Sequence, residues 1–89
     1  MGKLDQRVAI VTGGGTGIGR NIALEFVKEG AKVVIPDRNM TYLEKVVEEI
    51  KALGGHCLGI ATDVSIAEQV RSMAKHTVDT FGRIDILVN

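Results

Sequence analysis

The chain has 89 residues and equal numbers of basic and acidic side chains, 11 of each, so no net field draws it to nucleic acid or an anionic membrane. Its 45% hydrophobic and 25% charged content is that of an ordinary globular protein, and the length suits one small domain at most. Cys57 is the only cysteine, which excludes an internal disulfide and suits a reducing cytoplasm, and no apolar run approaches membrane-spanning length.

Residues 1–6 form a polar lead-in without a signal-peptide core, and Gln6 stands where a myristoylation signal needs Ser or Thr. Residues 8–11 are an apolar run rich in β-branched side chains, the mark of a buried strand, which is expected over about residues 7–12. A glycine-rich loop follows, and an amphipathic helix is expected over residues 18–29, with Ile18, Ile22, Ala23, Phe26 and Val27 on its buried face. Gly30 sits where a left-handed cap would end it. Residues 32–36 make a second strand, which Pro36 should finish because it cannot donate to a ladder.

Asp37, Arg38 and Asn39 then form a loop with Asn39 as N-cap, before a second helix over residues 40–53. Its stripe is Leu43, Val46, Val47, Ile50 and Leu53, and Gly54-Gly55 ends it. A third short strand falls within residues 56–62. Ser65 and Glu68 have capping-box spacing ahead of a third helix reaching Phe81, which should bury Ile66, Val70, Met73, Ala74, Val78 and Phe81. Gly82 closes it, residues 86–88 begin a fourth strand, and Asn89 ends the chain. No internal repeat or low-complexity tract interrupts this order.

Alternating strands and helices imply right-handed crossovers and a parallel sheet. The expected fold is α/β, a partial Rossmann-type sheet of four strands in the order 3-2-1-4, with two helices on one face and the third on the other. The order reverses between strands 1 and 4, so a crevice should open at their C-terminal ends. Residues 13–19, Asp37, Asp63 and Asn89 all fall at such ends.

Strand, glycine loop, helix aims unpaired backbone N–H groups and a positive dipole end at an anion, and glycine lets a phosphate approach the backbone. The loop is read as a dinucleotide pyrophosphate site, with a ligand-free flexible turn as the alternative. The G-x-G-x-x-G pattern fails: counted from Gly13 or Gly15, its third glycine falls on Ile18 or Arg20. A Walker A loop fails too, since Arg20-Asn21 stands in place of Lys-Ser/Thr. Asp37 lies near where a dinucleotide fold places the acid that binds the adenosine ribose. Its carboxylate would repel a 2′-phosphate by about 4 kcal/mol per unit charge at roughly 4 Å and an effective dielectric near 20.

Thr12-Gly13-x-x-x-Gly17-Ile18-Gly19 resembles the cofactor loop of the short-chain dehydrogenase/reductase family, in its compact single-domain branch. The resemblance covers essentially the whole chain, which would make residues 1–89 the N-terminal part of a dinucleotide-binding domain, incomplete at the C-terminus. It implies a cofactor site of Gly13, Gly15, Thr16, Gly17, Ile18, Gly19, Asp37, Arg38, Asp63, Val64 and Asn89. An acid at Asp37 goes with NAD. Arg38 just after it keeps NADP open as the second choice, because many NADP-preferring members carry an arginine there. Asp63-Val64 matches the family pair that lies against adenine, against the alternative that Asp63 only starts the third helix. Asn89 resembles the first residue of the family's Asn-Asn-Ala-Gly turn.

Family chemistry is hydride transfer between nicotinamide and an alcohol or ketone, using a tyrosine, a lysine, a serine and an asparagine that would all lie beyond Asn89. Tyr42 is the only tyrosine, and Val46 occupies the position four residues on where the family's Tyr-x-x-x-Lys pair needs lysine. No catalytic or metal-binding residue is therefore expected, and the chain alone should not turn over substrate. His56 and His76 lack partners at metal-ligand spacing, and Cys57 reads as a small strand residue. The full-length protein would be a cytoplasmic homo-oligomer with a small-molecule substrate and no nucleic-acid or membrane partner. A stand-alone NAD-binding module with a sensing or scaffold role is the competing reading.

Overall fold

The computed structural model describes residues 2–13 and 17–89. Strands β1 (Val8–Val11), β2 (Lys32–Asp37), β3 (Cys57–Ala61) and β4 (Ile86–Val88) alternate with helices α1 (Gly17–Lys28), α2 (Met40–Ala52) and α3 (Ala67–Phe81). The strands pair in parallel in the order β3-β2-β1-β4, the Rossmann-type arrangement expected from the alternation.

Both faces of the sheet are covered near its centre, which is why β1 is apolar at every position rather than at alternate ones. Val11, Val33 and Ile35 pack with Ala23 of α1 and Leu43, Val46 and Ile50 of α2. One step along each strand reverses the face. Val8, Ile10 and Val34 accordingly pack with Met73 of α3, flanked by Val70 and Phe81. The division of two helices to one face and one to the other follows from these clusters. At the end of α1, Gly30 takes φ +92° and the Ala31 N–H reaches the Phe26 carbonyl at 3.0 Å, turning the chain back into β2.

Pro36 does not end β2 as expected, and the reason is directional. In a parallel strand each residue aims its N–H and C=O at one neighbour, and successive residues alternate. Lys32 donates toward β1, to the Arg7 carbonyl at 2.8 Å, whereas Val33 donates toward β3, to the His56 carbonyl at 3.0 Å. By that alternation Pro36 faces β1, so its missing donor costs only the β1 ladder. The β1–β2 register stops at Ile10↔Val34, while β2 stays paired with β3 through Pro36↔Ile60 to Asp37↔Ala61. β2 thus parts from β1 at its tip.

The buried faces differ from the sequence expectation at four apolar positions. Ile18 is 80% exposed, since it stands on the first turn of α1 above the strand tips with no sheet beneath it. Leu53 is the C-cap of α2 rather than part of its last turn, and it is exposed. Ile66 and Val78 are exposed as well. Ile66 is the N-cap of α3, and the stripe of that helix runs through Val70, Met73, Thr77 and Phe81, one position away from Val78. Thr77 is fully buried because its hydroxyl donates to the Met73 carbonyl of its own helix at 2.9 Å, which satisfies the polar group without outside help.

The expected capping box is not formed. The N-cap Ile66 has no side-chain cap bond, and the Ser65 hydroxyl turns away from the helix to donate to Asp63 Oδ1 at 2.6 Å. Gln69, in the first turn of α3, reaches back instead, its Oε1 accepting the Asp63 N–H at 2.8 Å.

Candidate nucleotide site

The parting of β2 from β1 opens a crevice of about 150 Å³ lined by Gly13, Pro36, Asp37, Arg38, Thr62 and Val64. Each comes from, or just beyond, the C-terminal end of a strand. The tips themselves are tied together. The Thr12 N–H and hydroxyl both donate to the Val88 carbonyl, at 2.9 and 3.0 Å, which joins β1 to β4 immediately before Gly13 and Asn89. The Thr62 N–H donates to the Asp37 carbonyl at 3.0 Å, which joins β3 to β2.

Gly13 holds φ +69° and Gly17 holds φ +56°, a region that resists any side chain, and a Cβ at either would meet nothing within 4 Å. Gly13 and Gly17 therefore bare their backbone to open space. α1 carries no acidic side chain in its first turn, so the positive end of its dipole is left for an anion. Arg20, one turn further on, is committed elsewhere: its Nε donates to Glu49 Oε1 of α2 at 2.9 Å and its Nη2 pairs with Oε2. So paired, it is not turned to a phosphate, which agrees with the failure of the Walker A pattern at Arg20-Asn21. Gly15 and Thr16 lie outside the described residues.

Asp37 ends β2 half-buried, with Oδ1 accepting the Asn39 N–H at 2.9 Å. That bond forms the turn that delivers Asn39 to its capping position, where its own Oδ1 accepts the Tyr42 N–H at 3.2 Å. One carboxylate oxygen of Asp37 thus sets the loop and leaves the other without a partner among the described hydrogen bonds. Asp63 begins the loop after β3. Its Oδ1 accepts both the N–H of Ser65, at 3.0 Å, and its hydroxyl. Its Oδ2 lies 3.8 Å from Arg38 Nη1. The Ser65 hydrogen bonds first, and the Arg38 charge after them, hold the Asp63 carboxyl below the usual carboxylate range.

Of the residues singled out from the sequence, Gly13, Asp37, Arg38 and Val64 line one crevice, and Asp63 reaches it through Arg38. Gly17, Ile18 and Gly19 make the first turn of α1, and Asn89 follows β4, exposed beside the Thr12–Val88 tie. None of these four lines the crevice. Pro36 and Thr62 do line it and were not singled out. The signal for both was positional: Pro36 immediately precedes Asp37 and Thr62 immediately precedes Asp63.

A larger groove of about 440 Å³ runs between α3 and β3, past Ile60, Ser72, Met73 and His76, and meets the crevice at Thr62. Among the described residues no group of three His, Cys, Asp or Glu side chains could hold a metal ion, and no helix is long and apolar enough to cross a membrane.

A family model for the short chain dehydrogenases matches residues 7–89. The 7alpha-hydroxysteroid dehydrogenase of Escherichia coli (strain K12) is 39% identical over 87 residues, a match covering 98% of this chain and 34% of that protein. A solved 7 alpha-hydroxysteroid dehydrogenase, complexed with NADH and 7-oxo glycochenodeoxycholic acid, superposes with a TM-score of 0.93 and 40% identity over 97% of this chain and 34% of the other. A short chain dehydrogenase/reductase from Burkholderia phymatum in complex with NAD superposes with a TM-score of 0.92 and 34% identity over 98% of this chain and 31% of the other. The chain spans about a third of the length of these relatives.

Proposed function

The chain belongs to the short chain dehydrogenase family, and we propose that it forms the adenosine- and pyrophosphate-binding part of an oxidoreductase acting between an alcohol and a ketone. The observation that carries this reading is that the bare backbone of Gly13 and the Asp37 carboxylate line one crevice at the strand tips, with the unneutralised N-terminus of α1 following on from the same glycine-rich segment. A dinucleotide fits that donor set: amides for the diphosphate, an acid for the sugar, a walled crevice for the base.

In this reading the amides around Gly13 and the first turn of α1 bind the pyrophosphate. The free oxygen of Asp37 accepts the adenosine ribose hydroxyls, and its charge disfavours a 2′-phosphate, so NAD is preferred over NADP. Val64 walls the adenine side and Asp63 accepts the adenine amine. Asn89 braces the ribose side of the β4 tip. When bound, the nicotinamide would supply the hydride acceptor or donor.

Among the described residues no side chain is placed to move the accompanying proton. Tyr42 stands on α2 with Val46 four residues on. The chain by itself is thus a binder of cofactor and does not turn over alcohol or ketone. The 7-oxo ligand of the solved relative supports a secondary alcohol or ketone as the substrate class of the whole enzyme. Cys57, the sole cysteine, suits a reducing cytoplasmic setting.

The test is titration of the 89-residue chain with NAD and NADP, followed through backbone amide resonances. Saturable shifts centred on Gly13, Asp37, Thr62 and Val64 are expected. Shifts centred on the α3–β3 groove, or no binding of either nucleotide by the folded chain, would overturn the reading.

A further inference from the structure

Arg38 and Asp63 stand just past the adjacent tips of β2 and β3, and their side chains meet with Nη1 3.8 Å from Oδ2. The acceptor is held firmly. Oδ1 takes two hydrogen bonds from Ser65, and the Asp63 backbone is pinned by Gln69 of α3, so Oδ2 is the oxygen turned to Arg38. The donor is held by little else: the Arg38 side chain is 75% exposed, and Asp63 is its one ion-pair partner among the described residues. Arg38 also lines the crevice beside Asp37. Its guanidinium is thus seen paired with Asp63 at the neighbouring strand tip, while its exposed, flexible stem also leaves it within reach of the crevice rim next to Asp37.

A guanidinium at the rim would attract a phosphate on the ribose 2′ oxygen. One engaged by a carboxylate is partly neutralised and is held to that carboxylate rather than left free to turn to a phosphate. We propose that Asp63 is a specificity-determining residue that acts by withholding Arg38, the ion pair between the two strand tips keeping the cation from the 2′ position and so favouring a nucleotide without a 2′-phosphate. This rests on the dinucleotide reading and adds to it a role for Asp63 separate from adenine contact, together with a reason for an arginine to follow the ribose acid without recruiting NADP. Ser65 is a positioning residue in this device, since its two bonds fix the carboxylate. Oδ2 retains a further lone pair, so adenine contact and the ion pair are compatible.

The experiment measures affinities of NAD and NADP by calorimetry on the 89-residue chain and on Asp63→Asn, Arg38→Ala and the double variant. Asp63→Asn should raise NADP affinity relative to NAD by about two- to five-fold, the range of an exposed pair. Ser65→Ala should shift the ratio the same way by less, and it provides a second route should Asp63→Asn fold poorly. Arg38→Ala alone should leave the ratio nearly unchanged, and the gain from Asp63→Asn should vanish in the double variant. A gain that persists without Arg38 would mean the carboxylate repels the phosphate directly, and the proposal falls. An unchanged ratio in both Asp63→Asn and Ser65→Ala, with NAD still binding, overturns it while sparing the dinucleotide reading. If the folded wild-type chain binds neither nucleotide, the dinucleotide reading fails and this proposal with it.

Discussion

Asp85 and Val8 hold each other twice: the Asp85 carboxylate accepts the Val8 N–H at 2.9 Å, and the Asp85 N–H donates to the Val8 carbonyl, also at 2.9 Å. The two residues are 77 positions apart and lie at the foot of the sheet, at the end away from the crevice. Their pairing sets the β1–β4 register Ala9↔Ile86, Ile10↔Leu87, Val11↔Val88, and that register brings the Val88 carbonyl to Thr12 beside the site. Arg83 donates to the same carboxylate from Nε and Nη2, at 3.0 and 2.7 Å, and Arg7 approaches at 3.4 Å.

Loss of this clamp should free β4. Asp85→Ala removes the acceptor of a buried backbone donor, whereas Asp85→Asn keeps an acceptor and loses only the charge. Removing the exposed Arg7 side chain should matter least. The expected order of lowered urea midpoints is Asp85→Ala, then Asp85→Asn, then Arg7→Ala, with faster amide exchange at Thr12 in the first. An Arg7→Ala midpoint as low as that of Asp85→Ala would mean the ion pair, not the Val8 bond, holds the strand.

The same carboxylate gives an acid limb. Hydrogen bonds from Arg83, then from the Val8 N–H, hold its pKa below the ordinary 3.8. The folded chain therefore binds fewer protons than the unfolded chain near that pH. The contribution is fully present above pH 3.8 and is lost as pH falls through the lower folded value. Denaturation midpoints measured from pH 5 downward, about one unit above the ordinary value, should fall less steeply in Asp85→Asn than in the parent. Asp63, lowered in the same direction, will leave the variant a residual slope.

Asn39 caps α2 through the Tyr42 N–H and is itself placed by Asp37. Asn39→Ala should cost about 1 kcal/mol of stability. Asn39→Asp, which keeps an oxygen acceptor at the positive end of the helix, should be close to neutral. Chemical denaturation of the two variants checks this, and equal losses would show that the side-chain oxygen is not the source.

Gly13 separates stability from binding. Alanine at φ +69° should cost roughly 1–2 kcal/mol in the fold. Its methyl group enters open space at the crevice, so the protein should still fold. In the dinucleotide reading that methyl holds a phosphate off the backbone. One lost amide–phosphate bond costs roughly 1.5–3 kcal/mol, about tenfold or more in affinity. Unchanged NAD affinity in folded Gly13→Ala would remove the loop from the site.

Asp37→Ser keeps a side-chain oxygen for the Asn39 N–H, so the turn into α2 should survive. The charge is gone, and NADP should gain on NAD. Repulsion of about 4 kcal/mol per unit charge at an effective dielectric near 20 is an upper scale, so a gain of about tenfold is a modest expectation. Calorimetric affinities decide it, and a constant NADP-to-NAD ratio would assign the acid to the turn alone.

The order of elements, the parallel 3-2-1-4 sheet, the split of helices between faces and the placing of Gly13, Asp37, Asp63 and Asn89 at or just past the strand tips were all determined by the sequence alone. Those features follow from hydrophobic period, from glycine and proline, and from the handedness of crossovers, which act locally or on whole segments. Which partner a polar side chain takes was decided only by the tertiary structure. Ser65 had the spacing of a helix cap and bonds Asp63 instead; Arg38 reads as a loop cation and spans to a different strand tip. Pro36 reads as a strand end, yet it faces β1 and so breaks one ladder while the other continues. Thr77 rather than Val78 takes the buried seat because the roll of α3 against Met73's neighbours is set by the sheet beneath it. A hydrogen bond or ion pair is short-ranged and directional, so its partner depends on where a distant segment comes to rest, and only the packed sheet determines that.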